Sequence, residues 1–214
     1  MGDLRPEFDE AFRRQLLTLF RWRRDVRQFR PDPVPADVLD GLFELACLAP
    51  SVGLSQPWRF VTVEDKACRA AVRRIFETCN AEALADLNAS RAAHYVRLKL
   101  AGMDEAPCQF ALFAEPDPEQ GHGLGRRTMP ETTAYSATMA VHTIWLAARA
   151  MGLGLGWVSI LDPPAVATAL DVPQHWTFIG YFCLGWPRTA DDTPELERCG
   201  WEYRRPAATM IIRR

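Results

Sequence analysis

No Cys-x-x-Cys pair occurs in this sequence of 214 residues, whose six cysteines (Cys47, Cys68, Cys79, Cys108, Cys183, Cys199) lie far apart. That spacing excludes a dense disulfide framework and the paired thiolates of common zinc sites. Several of these cysteines fall inside apolar runs, so they are expected to be reduced, mostly buried thiols. Histidine is scarce as well. His94, His122, His142 and His175 are dispersed, without the helical spacing that metal enzymes use, so no metal is expected. No stretch reaches the roughly 18 uncharged apolar residues that a membrane span needs. The longest apolar run, near Ala134 to Ala148, is broken by His142 and Thr143. The opening MGDLRPEFDEAFRRQ is charged and amphipathic and lacks the greasy stretch of a secretory signal. A cytoplasmic location with no membrane contact is therefore expected. Basic excess is missing too: 25 Lys and Arg stand against 27 Asp and Glu, which argues against a nucleic-acid partner.

What is present is enough apolar residue, 48%, to build one sizeable core. Phe8, Phe12, Leu16 and Leu19 recur at helical spacing and predict a first helix over 8–20. A second helix over 36–48 stops at Pro50, and the β-branched alternation of 59–63 predicts a strand. Helix is expected again from Lys66. Its polar middle and continuation, 80–104, reads either as a mobile lid or as a plain surface hairpin. Further strands are expected over 107–114, 154–160 and 176–184, with a short helix over 165–170 and a fifth strand in the tail at 209–213. Residues 134–151, apolar on nearly every face and closed by Gly152, predict a central helix that needs neighbours all round. Strands separated by helices predict a single domain of layered α/β or α+β arrangement. Gly152, Gly154 and Gly156 follow a helix and enter a strand, the reverse of the order in a dinucleotide-binding turn.

Two segments carry chemical promise. Arg23, Arg24 and Arg27 bring three planar donor forks together at the end of the first helix, suited to a phosphate. A solvated cationic helix end is the plainer alternative. The loop from Ala49 to Trp58, with Pro50 and Ser51, supplies small residues where a flat ring can approach backbone, although ordinary helix-to-strand loops look similar.

Taken together, Arg23-Arg24-Asp25-Val26-Arg27, the Pro31 to Pro35 step, Ala49-Pro50-Ser51 through Gln56-Pro57-Trp58, and the alanine-rich run from Ala140 to Gly156 resemble the nitroreductase family over about residues 16–200. That resemblance implies an α+β fold with a mixed, mainly antiparallel sheet, FMN at the interface of an interlocked homodimer, and exchanged C-terminal segments. Asp25 replaces the serine usual after the arginine pair. With Met129 to Ser136, Ala140 to Ala150 and Gly154 to Pro163, it resembles the branch that fragments its flavin. For that branch the resemblance implies that reduced FMN and molecular oxygen are consumed. The products would be 5,6-dimethylbenzimidazole, the lower ligand of vitamin B12, and erythrose 4-phosphate, with reduced FMN supplied by a separate flavin reductase. Carried over residue by residue, Asp25 and Ser159 are the catalytic candidates. Arg23, Arg24, Asp25, Arg27, Pro50, Ser51, Trp157, Val158, Ser159 and Arg198 are the flavin-binding candidates.

A carboxylate at 25 can take up protons from the ribityl chain or orient it, and a serine hydroxyl can steady the ring. The plainer readings are a helix-end salt bridge for Asp25 and a strand hydroxyl facing backbone for Ser159. His142 and Trp145 read as packing residues. The competing functions are an NAD(P)H-dependent nitroreductase or flavin reductase that returns FMN intact, and a non-catalytic flavin-binding protein.

Overall fold

The computed structural model describes residues 6–96, 98 and 100–214. Residues 1–5 of the amphipathic start, and Arg97 and Lys99 of the expected lid, lie outside the described residues. Among the described residues seven helices and four strands follow in the order α1 (Glu10–Trp22), α2 (Ala36–Ala46), β1 (Trp58–Thr62), α3 (Lys66–Ala85), α4 (Ala89–Tyr95), β2 (Cys108–Ala114), α5 (Thr132–Ala150), β3 (Gly154–Val158), α6 (Pro163–Ala169), β4 (Thr177–Gly185) and α7 (Glu195–Arg198).

The sheet runs β1-β2-β4-β3. All three pairings are antiparallel. The mixed character expected of it is confined to one parallel bridge, Asp25 with Leu155, on the open edge of β3. Because side chains alternate across a strand, the two faces of β2 and β4 feed two separate cores. Phe110, Leu112, Phe182 and Leu184 pack under α2 and α5. Ala111, Phe113, Tyr181 and Cys183 pack with residues of α3 and α6 on the other face. Fully burying one such aromatic or leucine side chain contributes about 1.5–3 kcal/mol. Tyr181 is wholly buried, and its hydroxyl donates to Gln109 Oε1 at 2.8 Å. Gln109 Nε2 in turn donates to the Met103 carbonyl at 2.7 Å, which pins the end of the 80–104 segment to the sheet. Burial raises the Tyr181 hydroxyl well above its usual value and pushes the Cys183 thiol up to about 12.

Several expectations shift. Cys183, in the middle of β4, is the buried cysteine; Cys47 and Cys199 are exposed, and Cys68, Cys79 and Cys108 are half-buried on α3 and at the start of β2. Helix α5 ends as expected at Gly152, whose φ of 83° suits a residue without a side chain. Neighbours do not surround it. Thr133, Ala137, Ala140, Ile144 and Ala148 are buried, while Tyr135, Met139 and His142 leave an open stripe on the opposite side. α1 likewise buries none of its residues, and Phe12, Leu17 and Phe20 are exposed. The expected fifth strand is absent among the described residues. A 3-10 turn (Ala207–Thr209) opens that stretch, and Met210, Ile211 and Ile212 are exposed and pair with no sheet edge among the described residues. Among the described residues no helix is long and apolar enough to cross a membrane.

Candidate active site

α1 closes one residue before the arginine cluster, and Arg23 is its extended C-cap. The three guanidinium groups therefore sit on an extended segment, not on a helical turn, which corrects the helix-end reading. Two long-range bonds impose this geometry. The Trp145 indole N–H on α5 donates to the Arg24 carbonyl at 2.8 Å, and Val26 N–H donates to the Leu155 carbonyl on β3 at 3.0 Å. The Arg23 guanidinium lies over the Trp145 ring, 4.9 Å from its centroid. Trp145 thus holds the segment in place, a role beyond the packing its sequence context implies.

The segment approaches β3 so closely that only glycine fits beneath it. A Cβ on Gly156 would stand 2.1 Å from the Val26 carbonyl oxygen. From there the Asp25 carboxylate reaches back across the strand edge. Its Oδ1 accepts the Trp157 backbone N–H at 2.8 Å, and its Oδ2 accepts Arg27 Nε at 2.9 Å and Arg27 Nη2 at 2.8 Å. A carboxylate has about four acceptor positions, so Oδ1 keeps capacity for one more partner. The salt bridge expected as the plain reading is present, Asp25 with Arg27 just past the end of α1, and the bond from Trp157 N–H extends it into a clasp between the arginine segment and β3. Trp157 contributes this backbone donor, while its indole lies on Gly180 with Nε1 buried and unpartnered among the described residues. Val158 is buried toward the α3/α6 face, so it offers the cleft backbone only.

β3 stops at Val158, two residues short of the expected end, because Asp162 caps α6 by accepting the Ala165 N–H at 2.7 Å and the chain must turn first. Ser159 is left exposed just beyond the strand, roughly 6–7 Å of strand rise past Trp157. It is not a strand hydroxyl facing backbone.

Arg198 comes from the far end of the chain into the same cleft as Arg24, Asp25 and Arg27. There its Nε pairs with Asp191 Oδ2 at 3.2 Å. Arg204, which the sequence did not single out, lies close enough to depress both Arg23 and Arg24. Burial is the main cause of the depression in each, Asp25 opposes it at Arg23, and Asp191 and Asp192 oppose it at Arg24. Nothing in the local pattern around Arg204 separates it from any basic tail residue; only the fold brings it here. Arg24 Nε is buried with no hydrogen-bond partner among the described residues. Clustered guanidinium groups with one orphaned donor suit a phosphate.

Pro50 and Ser51 do not join this cleft. Val52 N–H donates to Ser136 Oγ at 3.0 Å, which fixes the loop near the start of α5. Trp145 is nine residues further on, roughly 13–14 Å along the helix axis. Within the loop Gly53, Leu54 and Gln56 all take positive φ, and the Ser51 hydroxyl accepts the Gln56 N–H at 3.2 Å. Strain of this kind persists only where surrounding contacts hold it.

The arginine segment, the glycine-bearing strand and the proline–serine loop all fall within residues 20–186, which match the model of the nitroreductase family. The chain belongs to the nitroreductase family. It is 56% identical to a 5,6-dimethylbenzimidazole synthase of Rhodospirillum rubrum, over 94% of this chain and 95% of that protein. It is 48% identical to one of Rhodobacter capsulatus, over 93% and 96% of the two. Among solved structures it resembles an oxidised iodotyrosine deiodinase bound to FMN and 3-iodo-L-tyrosine, with a TM-score of 0.69, 24% identity, and 82% and 91% of the two chains covered. At that identity the likeness speaks to the fold alone. As a member of this family the chain is an enzyme of the oxidoreductase type.

Proposed function

We propose that this chain carries out the reaction of a 5,6-dimethylbenzimidazole synthase, consuming reduced FMN and molecular oxygen and releasing 5,6-dimethylbenzimidazole, erythrose 4-phosphate and the oxidised pyrimidine remainder of the ring, which carries off the oxygen atoms. The observation that carries this reading is the Asp25 clasp: a carboxylate with spare acceptor capacity, held at the mouth of an arginine cleft in a chain 56% identical to a relative of that name. A flavin reductase that returns its cofactor intact has no use for a proton acceptor beside the ribityl chain.

In this reading FMN is a substrate, and its reduced ring supplies the electrons that oxygen takes up. Arg23, Arg24 and Arg198 hold its phosphate, with Arg204 adding to the positive field. Arg27 fixes the Asp25 carboxylate, which accepts a proton from the ribityl chain or orients it for cleavage. Trp157 N–H keeps Asp25 in register with β3, and the Val158 backbone and Ser159 hydroxyl lie along the ring. Pro50 and Ser51 complete the site from a second copy, because in one chain they are far from the arginines along α5. The open stripes on α1 and α5 and the exposed tail form the interlocked homodimer interface. Residues 80–104 act as a lid, and a separate cytoplasmic flavin reductase supplies the substrate.

The test is to mix the purified protein with chemically reduced FMN in air and identify products by mass. 5,6-Dimethylbenzimidazole in stoichiometric relation to FMN lost is the expected result, whereas quantitative recovery of intact, reoxidised FMN returns the protein to the reductase or carrier readings. The arginine assignment has its own check. Arg24→Ala should weaken FMN binding about tenfold or more, since a charge-assisted hydrogen bond contributes about 1.5–3 kcal/mol, and leave riboflavin, which has no phosphate, unaffected. Equal losses for both ligands would remove Arg24 from the phosphate site.

A further inference from the structure

Helix α4 is held by few contacts. None of its residues is buried, and its Asn88 cap, which accepts the Arg91 N–H at 3.0 Å, is internal to it. Tyr95 donates to Asn80 Oδ1 on α3 at 2.7 Å. Another anchor reaches 105 residues along the chain: His94 Nε2 donates to the Cys199 carbonyl at 2.7 Å. The His94 ring also meets the Trp201 indole edge-on at 5.5 Å, and Tyr95 approaches the same indole at 6.2 Å.

Cys199 and Trp201 are not free tail. Cys199 N–H bonds to the Glu195 carbonyl at 2.9 Å, Gly200 N–H to Glu197 at 3.0 Å, and Trp201 N–H to Leu196 at 2.8 Å. Gly200, with φ of 70°, makes the left-handed turn this requires. α7 and the three residues after it are therefore one hydrogen-bonded unit, and that unit carries Arg198 into the arginine cleft. One side of the unit faces the arginine cleft and the other meets α4.

We infer that His94 is a positioning residue that couples α4 to the phosphate through α7, so that phosphate engagement by Arg198 docks the lid. The inference rests on the proposed flavin reaction for the identity of the ligand. Arg198 is paired with Asp191 at 3.2 Å. A phosphate competes for that guanidinium, fixes the α7 unit, and through the Cys199 carbonyl and the Trp201 indole fixes α4. Coupling between two sites is reciprocal, so a docked α4 must raise phosphate affinity by the factor with which phosphate docks α4, typically about 5-fold or more. The lid then closes on FMN and not on a flavin lacking phosphate.

The test uses the full-length protein with oxidised FMN and with riboflavin, which share ring and ribityl chain and differ in the phosphate. Hydrogen exchange of the backbone amides of residues 89–96 is the readout. FMN is expected to slow it by about 5-fold or more and riboflavin not at all. His94→Ala should abolish the slowing and lower the FMN-to-riboflavin affinity ratio by a similar factor, and His94→Gln, which keeps an N–H donor, should restore part of both. Trp201→Leu should act like His94→Ala. Equal slowing by both ligands, or slowing by FMN that survives in His94→Ala, overturns the coupling. A protein that shows the phosphate-dependent protection yet returns FMN intact leaves the coupling standing and sinks the proposed reaction instead.

Discussion

Asp25→Asn should lower the rate of 5,6-dimethylbenzimidazole formation from reduced FMN by about 10²- to 10⁴-fold, the range that removal of a general acid–base group produces. The substitution keeps size and shape. The amide oxygen can still accept the Trp157 N–H, so the bridge to β3 survives, while the amide nitrogen faces Arg27 as a donor against a donor. What disappears is the negative charge and the capacity to take a proton. Asp25 is 30% exposed on its side chain, so its ion pair with the largely buried Arg27 is partly screened, and loss of the pair alone should cost the fold only about 1 kcal/mol. Activity and stability therefore separate: the variant should melt within a few degrees of the parent, still reoxidise reduced FMN in air, and return it intact. A variant that bound reduced FMN and fragmented it at the parental rate would end the proton-transfer role and leave Asp25 as a strap between the arginine segment and the sheet.

How much of this site can be read from the sequence depends on where the deciding contact lies. The stop of α5 at Gly152, the strand over 108–114 and the second helix from Ala36 follow from local signals: a glycine suited to positive φ, a short apolar run between loops, prolines before a helical period. The end of α1 does not. Helical periodicity and the arginines that follow are compatible with another turn, and what draws Arg24 and Val26 into extended geometry is a tryptophan 121 residues away and a strand that closes later. Ser159 escapes for a related reason. Its neighbours are good strand formers, but the cap at Asp162 claims the chain before the strand can continue. The membership of the cleft was legible for Arg198 only through resemblance, and Arg204 carried no signal at all. The open stripe of Tyr135, Met139 and His142 shows the limit of the apolar pattern on α5, which says that the helix will be covered and not which chain covers it.

Gly156→Ala tests the clasp from the opposite side. The glycine is needed for space and not for backbone freedom, since its φ lies outside the positive range. The added methyl would stand 2.1 Å from the Val26 carbonyl oxygen and 3.2 Å from its carbon, both backbone atoms that cannot rotate away. Either β3 or the Asp25–Val26 segment must move, and the segment is held by fewer bonds. Displacing it breaks the Val26 to Leu155 bond and the Trp157 to Asp25 bond together. Overpacking of this kind costs about 1–3 kcal/mol, with about 1 kcal/mol more for each hydrogen bond lost. For a chain of this length each kcal/mol lowers the melting temperature by about 2–4 °C, so a drop of roughly 6–20 °C is expected. Product formation should fall at least as far as in Asp25→Asn, because the carboxylate leaves the cleft altogether. Gly152→Ala separates loss of stability from loss of the site. Gly152 has positive φ but open space around it, its nearest contact being Trp186 at 3.8 Å, so the alanine should cost about 1–2 kcal/mol of backbone strain and leave the rate unchanged. If Gly156→Ala were destabilised to the same degree as Gly152→Ala and equally active, close packing of Asp25 against β3 would be a feature of the fold and not of the reaction.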